Sequence, residues 1–195
     1  MNRNLSLLIF VFVFSSFSYG QVVSRSAEET AVQFARRLQP QNTIIVHKII
    51  ETQWNLKPVL LAFYKQQSDN QIIIKIYVQT QHNKYSVFRA RNIDCEGGEP
   101  QIESVFFANG DKDKAKEFFL IVSWEQRHYN ISGALYGTFV YDDLSTNSHG
   151  ELIFKKNVSQ KLEGGFEGFR DGESVIAKFK TAKTIRAELK RLGYN

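Results

Sequence analysis

Four oxygen-bearing side chains crowd the run Asn109-Gly-Asp-Lys-Asp-Lys-Ala-Lys-Glu117: Asn109, Asp111, Asp113 and Glu117. They occupy the first, third, fifth and ninth positions of a turn between two apolar stretches, a spacing that can converge oxygens on a hard cation such as Ca2+. Lys112, Lys114 and Lys116 alternate with them and dilute the negative charge that would attract a dication. The run therefore has two readings, a calcium loop or a polar turn that only joins strands, and the lysines weigh toward the second.

Elsewhere the residue types that do chemistry are not arranged to do it. Cys95 is the only cysteine, so no disulfide can form within the chain and the fold must rest on its hydrophobic core. It lies in Asp94-Cys-Glu96-Gly-Gly-Glu99, where the carboxylates disfavour a reactive thiolate. His47, His82, His128 and His149 are scattered without metal-type spacing. No Gly-x-Ser-x-Gly elbow or phosphate-cradling glycine loop occurs. Glu163 and Glu167, four apart on an extended chain, would be same-face neighbours ~13 Å apart rather than a pair facing across a cleft. The expectation is a protein without catalytic machinery, and with no cofactor apart from the calcium reading of the turn.

Charge and exposed side chains speak to binding instead. The net charge is +5, but Lys178, Lys180, Lys183, Arg186, Lys190 and Arg191 face only Glu188 at the C-terminal end, so the body before them is near neutral. That distribution argues against a general nucleic-acid binder. Lys183, Arg186 and Lys190 form a basic stripe that could dock on an anionic surface. Tyr129 and Tyr136, with polar loops at 92–100, 109–117 and 142–150, could enter the cleft of a partner protein.

The elements that must position these residues follow from periodicity. Residues 1–20 read as a secretory signal peptide: Arg3, a short apolar run over Leu5–Phe14, then Ser18-Tyr-Gly20 before the cut. Residues 21–195 are expected to form a single β-rich domain, secreted or periplasmic, with no transmembrane segment. Ser26-Ala-Glu-Glu29 reads as a capping box opening a helix whose apolar stripe is Ala27, Ala31, Phe34, Ala35 and Leu38. Strands are expected over Thr43–Ile50, Pro58–Lys65, Gln71–Gln79 and Lys84–Arg91, then Gln101–Phe107, Glu117–Trp124, Tyr136–Tyr141, Glu151–Lys155, Leu162–Arg170 and Ser174–Phe179. Phe118-Phe-Leu-Ile-Val122 is apolar on both faces, the mark of a central, doubly covered strand. Asp171-Gly172 suits a two-residue hairpin turn, and Thr181–Leu192 a second helix. The spacing favours antiparallel hairpins. The fold class is α+β: a large, mainly antiparallel sheet of eight to ten strands with one N-terminal and one C-terminal helix. Lys57–Tyr64 before Tyr85–Phe88 echoes Lys116–Ser123 before Tyr136–Phe139, which raises the alternative of two repeat-like units.

The turn at Asn109–Glu117 resembles the calcium loop of FG-GAP-type β-propeller repeats, Asp-x-Asp-x-Asp-Gly-x-x-Asp between two strands. The resemblance covers nine residues and departs at Asn109, which replaces the first Asp, and at Lys114, which replaces the glycine of the sharp turn. It implies a Ca2+ site built from Asn109, Asp111, Asp113 and Glu117. In general character the chain is similar to small exported immunity proteins and hydrolase inhibitors, which implies a protein partner, a toxin or cell-wall hydrolase, blocked by occlusion. A calcium-stabilised envelope or adhesion module is the alternative, and an unrecognised hydrolase ranks last.

Overall fold

The computed structural model describes residues 21–144 and 150–194. The leader expected over residues 1–20, and His149 with part of the 142–150 loop, lie outside the described residues. In chain order the elements are β1 (Val22–Ser24), α1 (Ala31–Arg37), β2 (Thr43–Ile45), β3 (Ile50–Trp54), β4 (Lys57–Gln66), β5 (Ile72–Gln81) and β6 (Lys84–Arg89). They continue with β7 (Pro100–Ala108), β8 (Glu117–His128), β9 (Ile131–Tyr141), α2 (Lys156–Lys161), β10 (Gly165–Arg170), β11 (Glu173–Val175) and α3 (Ala182–Arg191).

The strands form two antiparallel sheets rather than one. The first has the order β1-β6-β5-β4-β2, with β3 also on β4; the second is β11-β10-β9-β8-β7. Alternation along β4 and β8 explains the layering, because both strands are apolar on both faces. Leu61 and Phe63 of β4 meet Phe118, Leu120 and Val122 of β8 in a core between the sheets. On the outer face of the first sheet, Leu60, Ala62 and Tyr64 pack with Phe34 and Ala35 of α1. On the outer face of the second, Phe119 and Ile121 pack with Ile185 and Leu189 of α3 and with Leu162 at the end of α2. The layers run helix, sheet, sheet, helices, and the doubly covered strand expected at 118–122 is β8.

The α+β class and the antiparallel pairing stand; several boundaries move. Ser26 does not open the first helix. Ser26–Glu29 forms a turn, with the Glu29 amide on the Ser26 carbonyl at 3.1 Å, and Thr30 with Gln33 makes the reciprocal capping box. Two capping patterns stand in tandem, and Glu29 of the first is taken by Arg37 at 2.8 Å. Of the stretch expected as one strand, Thr43–Ile50, only the start forms β2; β3 begins at its last residue and runs on where no strand was expected, and the two pair with successive segments of β4. Glu151–Lys155 is not a strand: Glu151 bridges Arg89 of the first sheet and Phe154 bridges Tyr141 of the second. A third helix, α2, occupies the stretch between the strands expected at Glu151–Lys155 and Leu162–Arg170, and the latter begins only at Gly165. The Asp171-Gly172 turn is as expected, with φ of 53° and 88°. The repeat echo holds for its first half, β4 and β8 each lying inside a sheet. It fails for the second, since Tyr85–Phe88 lies in β6, two strands from β4, whereas Tyr136–Phe139 lies in β9, beside β8.

Candidate functional site

The Asn109–Glu117 loop closes one end of the second sheet, between the last residue of β7 and the first of β8. Its short acidic and amide side chains first bend their own backbone, as such residues do in turns. Asn109 Oδ1 accepts the Asp111 amide at 3.0 Å, Asp111 Oδ1 accepts the Asp113 amide at 2.9 Å, and Asp113 Oδ1 accepts the Ala115 amide at 2.7 Å. The Asn109 amide group donates to the Asp113 carbonyl at 2.6 Å. This ladder supplies the sharp turn that Lys114, standing in the glycine's place, does not.

Asp111 and Glu117 are brought together; Asn109 and Asp113 serve the loop itself. The other oxygen of Asp111 accepts from Lys155 Nζ at 2.5 Å, and the same ammonium reaches Asp142 Oδ1 at 3.0 Å. Carboxylate oxygens of Asp111, Glu117 and Asp142 lie within 4.8 Å of one another. Glu117 is fully buried; one oxygen accepts the Gly110 amide, and Oε1 has no hydrogen-bond partner. Burial pushes its carboxyl up to about 7, an effect the Gly110 amide opposes and the neighbouring Asp111 reinforces. Burial pulls Lys155 toward the neutral form, but its bonds to Asp111 and Asp142 outweigh that and hold the ammonium above its ordinary range.

Sequence reasoning missed Asp142 and Lys155. The register carries the signal for Asp142: Phe118 pairs with Tyr141, so Glu117 and Asp142 lie one step beyond, side by side. Lys155 follows because its amide donates to the Val140 carbonyl at 2.8 Å, returning the chain to the same end of β9.

The loop's other side faces a basic groove. Asn55, in the β3–β4 turn, clasps Lys116: its Oδ1 accepts the Lys116 amide at 2.9 Å and its Nδ2 donates to the Lys116 carbonyl at 3.0 Å. The Trp54 indole donates to that same carbonyl. Beside this clasp a cleft of about 570 Å3 opens between the edge strands β3 and β7, with Leu61, Val105 and Phe107 among its apolar walls and Lys116 and Arg186 at its rim. A neighbouring depression of about 250 Å3 shares both cations and adds Lys114 and Lys190. Among the described residues no Asp or Glu lines either hollow. Arg186 is fixed by a 3.1 Å bond to the Phe107 carbonyl and lies 4.9 Å over the Phe106 ring. At the mouth, Leu56 is 91% exposed and held at φ 66°, a conformation that bulky L-residues rarely adopt.

The remaining predicted contact residues lie elsewhere. Lys183 is exposed on α3 but lines neither hollow. Tyr129 is fully exposed at the β8–β9 turn, the far end of a 12-residue strand and so roughly 35–40 Å from the loop. Tyr136 is half-buried against the helix-side core, its hydroxyl pushed up by burial and then by Glu103 and Glu167. The Cys95 thiol is pushed up by burial and then by Glu99, Asp69 and Asp94, in line with its acidic surroundings. Glu167 is paired with Lys180 at 2.5 Å.

Among the described residues no helix is long and apolar enough to cross a membrane. No protein-family model, curated protein or solved structure matches the chain.

Proposed function

We propose that this chain is an exported binding protein that blocks a partner enzyme, a toxin or cell-wall hydrolase, by seating an acidic segment of that enzyme in the groove between β3, β7 and α3. The observation that carries the reading is the convergence of Lys114, Lys116, Arg186 and Lys190 on an apolar-walled groove with no Asp or Glu in its lining among the described residues. These cations come from two segments some seventy residues apart in sequence. None of the four is in an ion pair among the described residues, so their charge is available to a partner. Such a field steers an acidic partner and sets orientation, while apolar contact supplies affinity. Leu56, projecting beside the cations, is suited to be the apolar anchor of the contact.

The test is inhibition. The purified protein is titrated into a panel of lysozymes, peptidoglycan amidases and membrane-directed toxins, with turnover or killing as readout. Saturable inhibition of at least one enzyme is expected, weakened at least tenfold by Lys116→Glu with Lys190→Glu and by raised salt. Inhibition that survives both charge reversals would remove the groove from the reading. No inhibition across the panel, with no changed sensitivity of a deletion strain to lysozyme or sister-cell attack, would remove the reading altogether.

A further inference from the structure

The carboxylates on the loop's inner side are left over by the proposed function, and they gather closely inside the protein. Asp111 comes from the loop, Glu117 is the first residue of β8 and Asp142 comes from the segment after β9, and their oxygens gather within 4.8 Å. Among the described residues the ammonium set there is that of Lys155, which pairs with Asp111 and Asp142 and not with Glu117. Glu117 Oε1 is fully buried and receives no hydrogen bond. An oxygen in that position carries a desolvation cost of several kcal/mol unless a proton or a cation meets it. Oxygens less than 5 Å apart are also spaced as they would be around one ion that each ligates at about 2.3–2.6 Å.

We propose that Asp111, Glu117 and Asp142 form a cation site with two exclusive occupants, the Lys155 ammonium and a calcium ion. With Lys155 in place, the ammonium pairs with two of the carboxylates and leaves Oε1 of the third without a partner. When calcium enters, the flexible lysine stem swings out and all three carboxylates turn to the metal, with Glu117 Oε1 gaining its missing partner. Calcium suits the site better than magnesium, because it tolerates irregular oxygen shells, whereas magnesium demands a compact octahedron. The scaffold is in place before any ion arrives. The Asx ladder shapes the loop around Asp111, and the Asn55 clasp fixes Lys116, the residue before Glu117. Asn109 and Asp113 take no part, so the site differs from the loop-only set that the sequence spacing suggests. It is independent of the basic groove, which faces the other side of the loop.

Lys155→Met removes the competing ammonium while keeping the apolar stem, and Asp142→Asn removes a ligand. Each purified protein is melted in EDTA and in Ca2+ up to about 10 mM, since an ion that binds only the folded state raises the midpoint. The Lys155→Met midpoint is expected to rise with Ca2+ and to return with EDTA, and wild type to need at least tenfold more Ca2+ for the same rise. Adding Asp142→Asn to Lys155→Met should abolish the response. A folded Lys155→Met protein indifferent to Ca2+ overturns the proposal, as does a wild-type response equal to that of the variant. If Lys155→Met does not fold, wild type decides through terbium luminescence excited through Trp54, whose indole bonds Lys116. Emission that Ca2+ displaces and Asp142→Asn removes supports the site, and its absence overturns it.

Discussion

Leu56 offers the sharpest test, because relief of its strain should act on folding and on binding with opposite sign. The β3–β4 turn has Asn55 at φ 47° and Leu56 at φ 66°, both left-handed, the geometry of the two-residue turn whose favoured sequence is Asn-Gly. Asn55 fits; Leu56 does not, and an L-residue with a full side chain costs about 1–2 kcal/mol there. Leu56 is 91% exposed, so its removal forfeits almost no buried apolar surface. Leu56→Gly loosens the unfolded chain at a cost of about 0.5–1 kcal/mol, which leaves a net stabilisation of about 0.5–1 kcal/mol. Urea unfolding should show a higher midpoint at unchanged slope, and the melt should move up by about 2–4 °C per kcal/mol for a chain of this size. Inhibition by the same variant should weaken, because the anchor is gone. A Leu56→Gly protein less stable than wild type would refute the strain argument. A more stable one with full inhibition would keep the strain but deny Leu56 its place in the contact.

Other perturbations give equally direct readings. In EDTA, stability should fall as pH rises from about 5 to about 8: the Glu117 carboxyl titrates at about 7 when folded and near 4.5 when unfolded, so over that window the folded chain holds a proton the unfolded chain has released. The loss is of order 3 kcal/mol by urea titration, and Glu117→Gln should flatten it. Asn55→Ala removes both bonds to Lys116 and forces a side chain other than Asn or Gly to positive φ, a loss of about 2–3 kcal/mol; Asn55→Gly should cost less because it keeps the backbone relaxed. Ser159 Oγ serves the buried Val140 amide at 3.0 Å, so Ser159→Ala should cost about 1–2 kcal/mol in the same assay.

What could be read from residues alone was what local pattern encodes. β8 announced itself because both of its faces are apolar, and the Asp171-Gly172 turn because its backbone needs residues that accept positive φ. β3 was not legible beyond Ile50 because Glu51, Thr52 and Gln53 are exposed at a sheet edge and give no apolar signal between Ile50 and Trp54. The six residues of α2 are too few to show a helical period, and the helix is held by Val158 and Leu162 packing on the second sheet. Division into two sheets was not legible either, since the choice between one sheet and two is made by pairings remote in sequence.

The loop shows most plainly what spacing conceals. Alternating acids and lysines made the run look self-neutralised, and on that ground the lysines counted against a cation site. In the fold the two signs are sorted to different places. Asp111 and Glu117 meet Asp142, and the cation among them is Lys155; Lys114 and Lys116 line the groove instead. The cations that matter to the carboxylates are therefore not the ones beside them in sequence. This separation can be measured with two variants. Lys114→Gln with Lys116→Gln should shift inhibition and its salt dependence, while the midpoint in EDTA stays within about 1–2 °C of wild type, as expected for exposed side chains outside any ion pair. Lys155→Met should do the reverse, lowering the midpoint in EDTA by removing the ammonium that Asp111 and Asp142 share, with inhibition unchanged wherever the protein is folded. If both variants moved both readouts together, the loop's two sides would be one site, and the assignment of separate roles to them would fail.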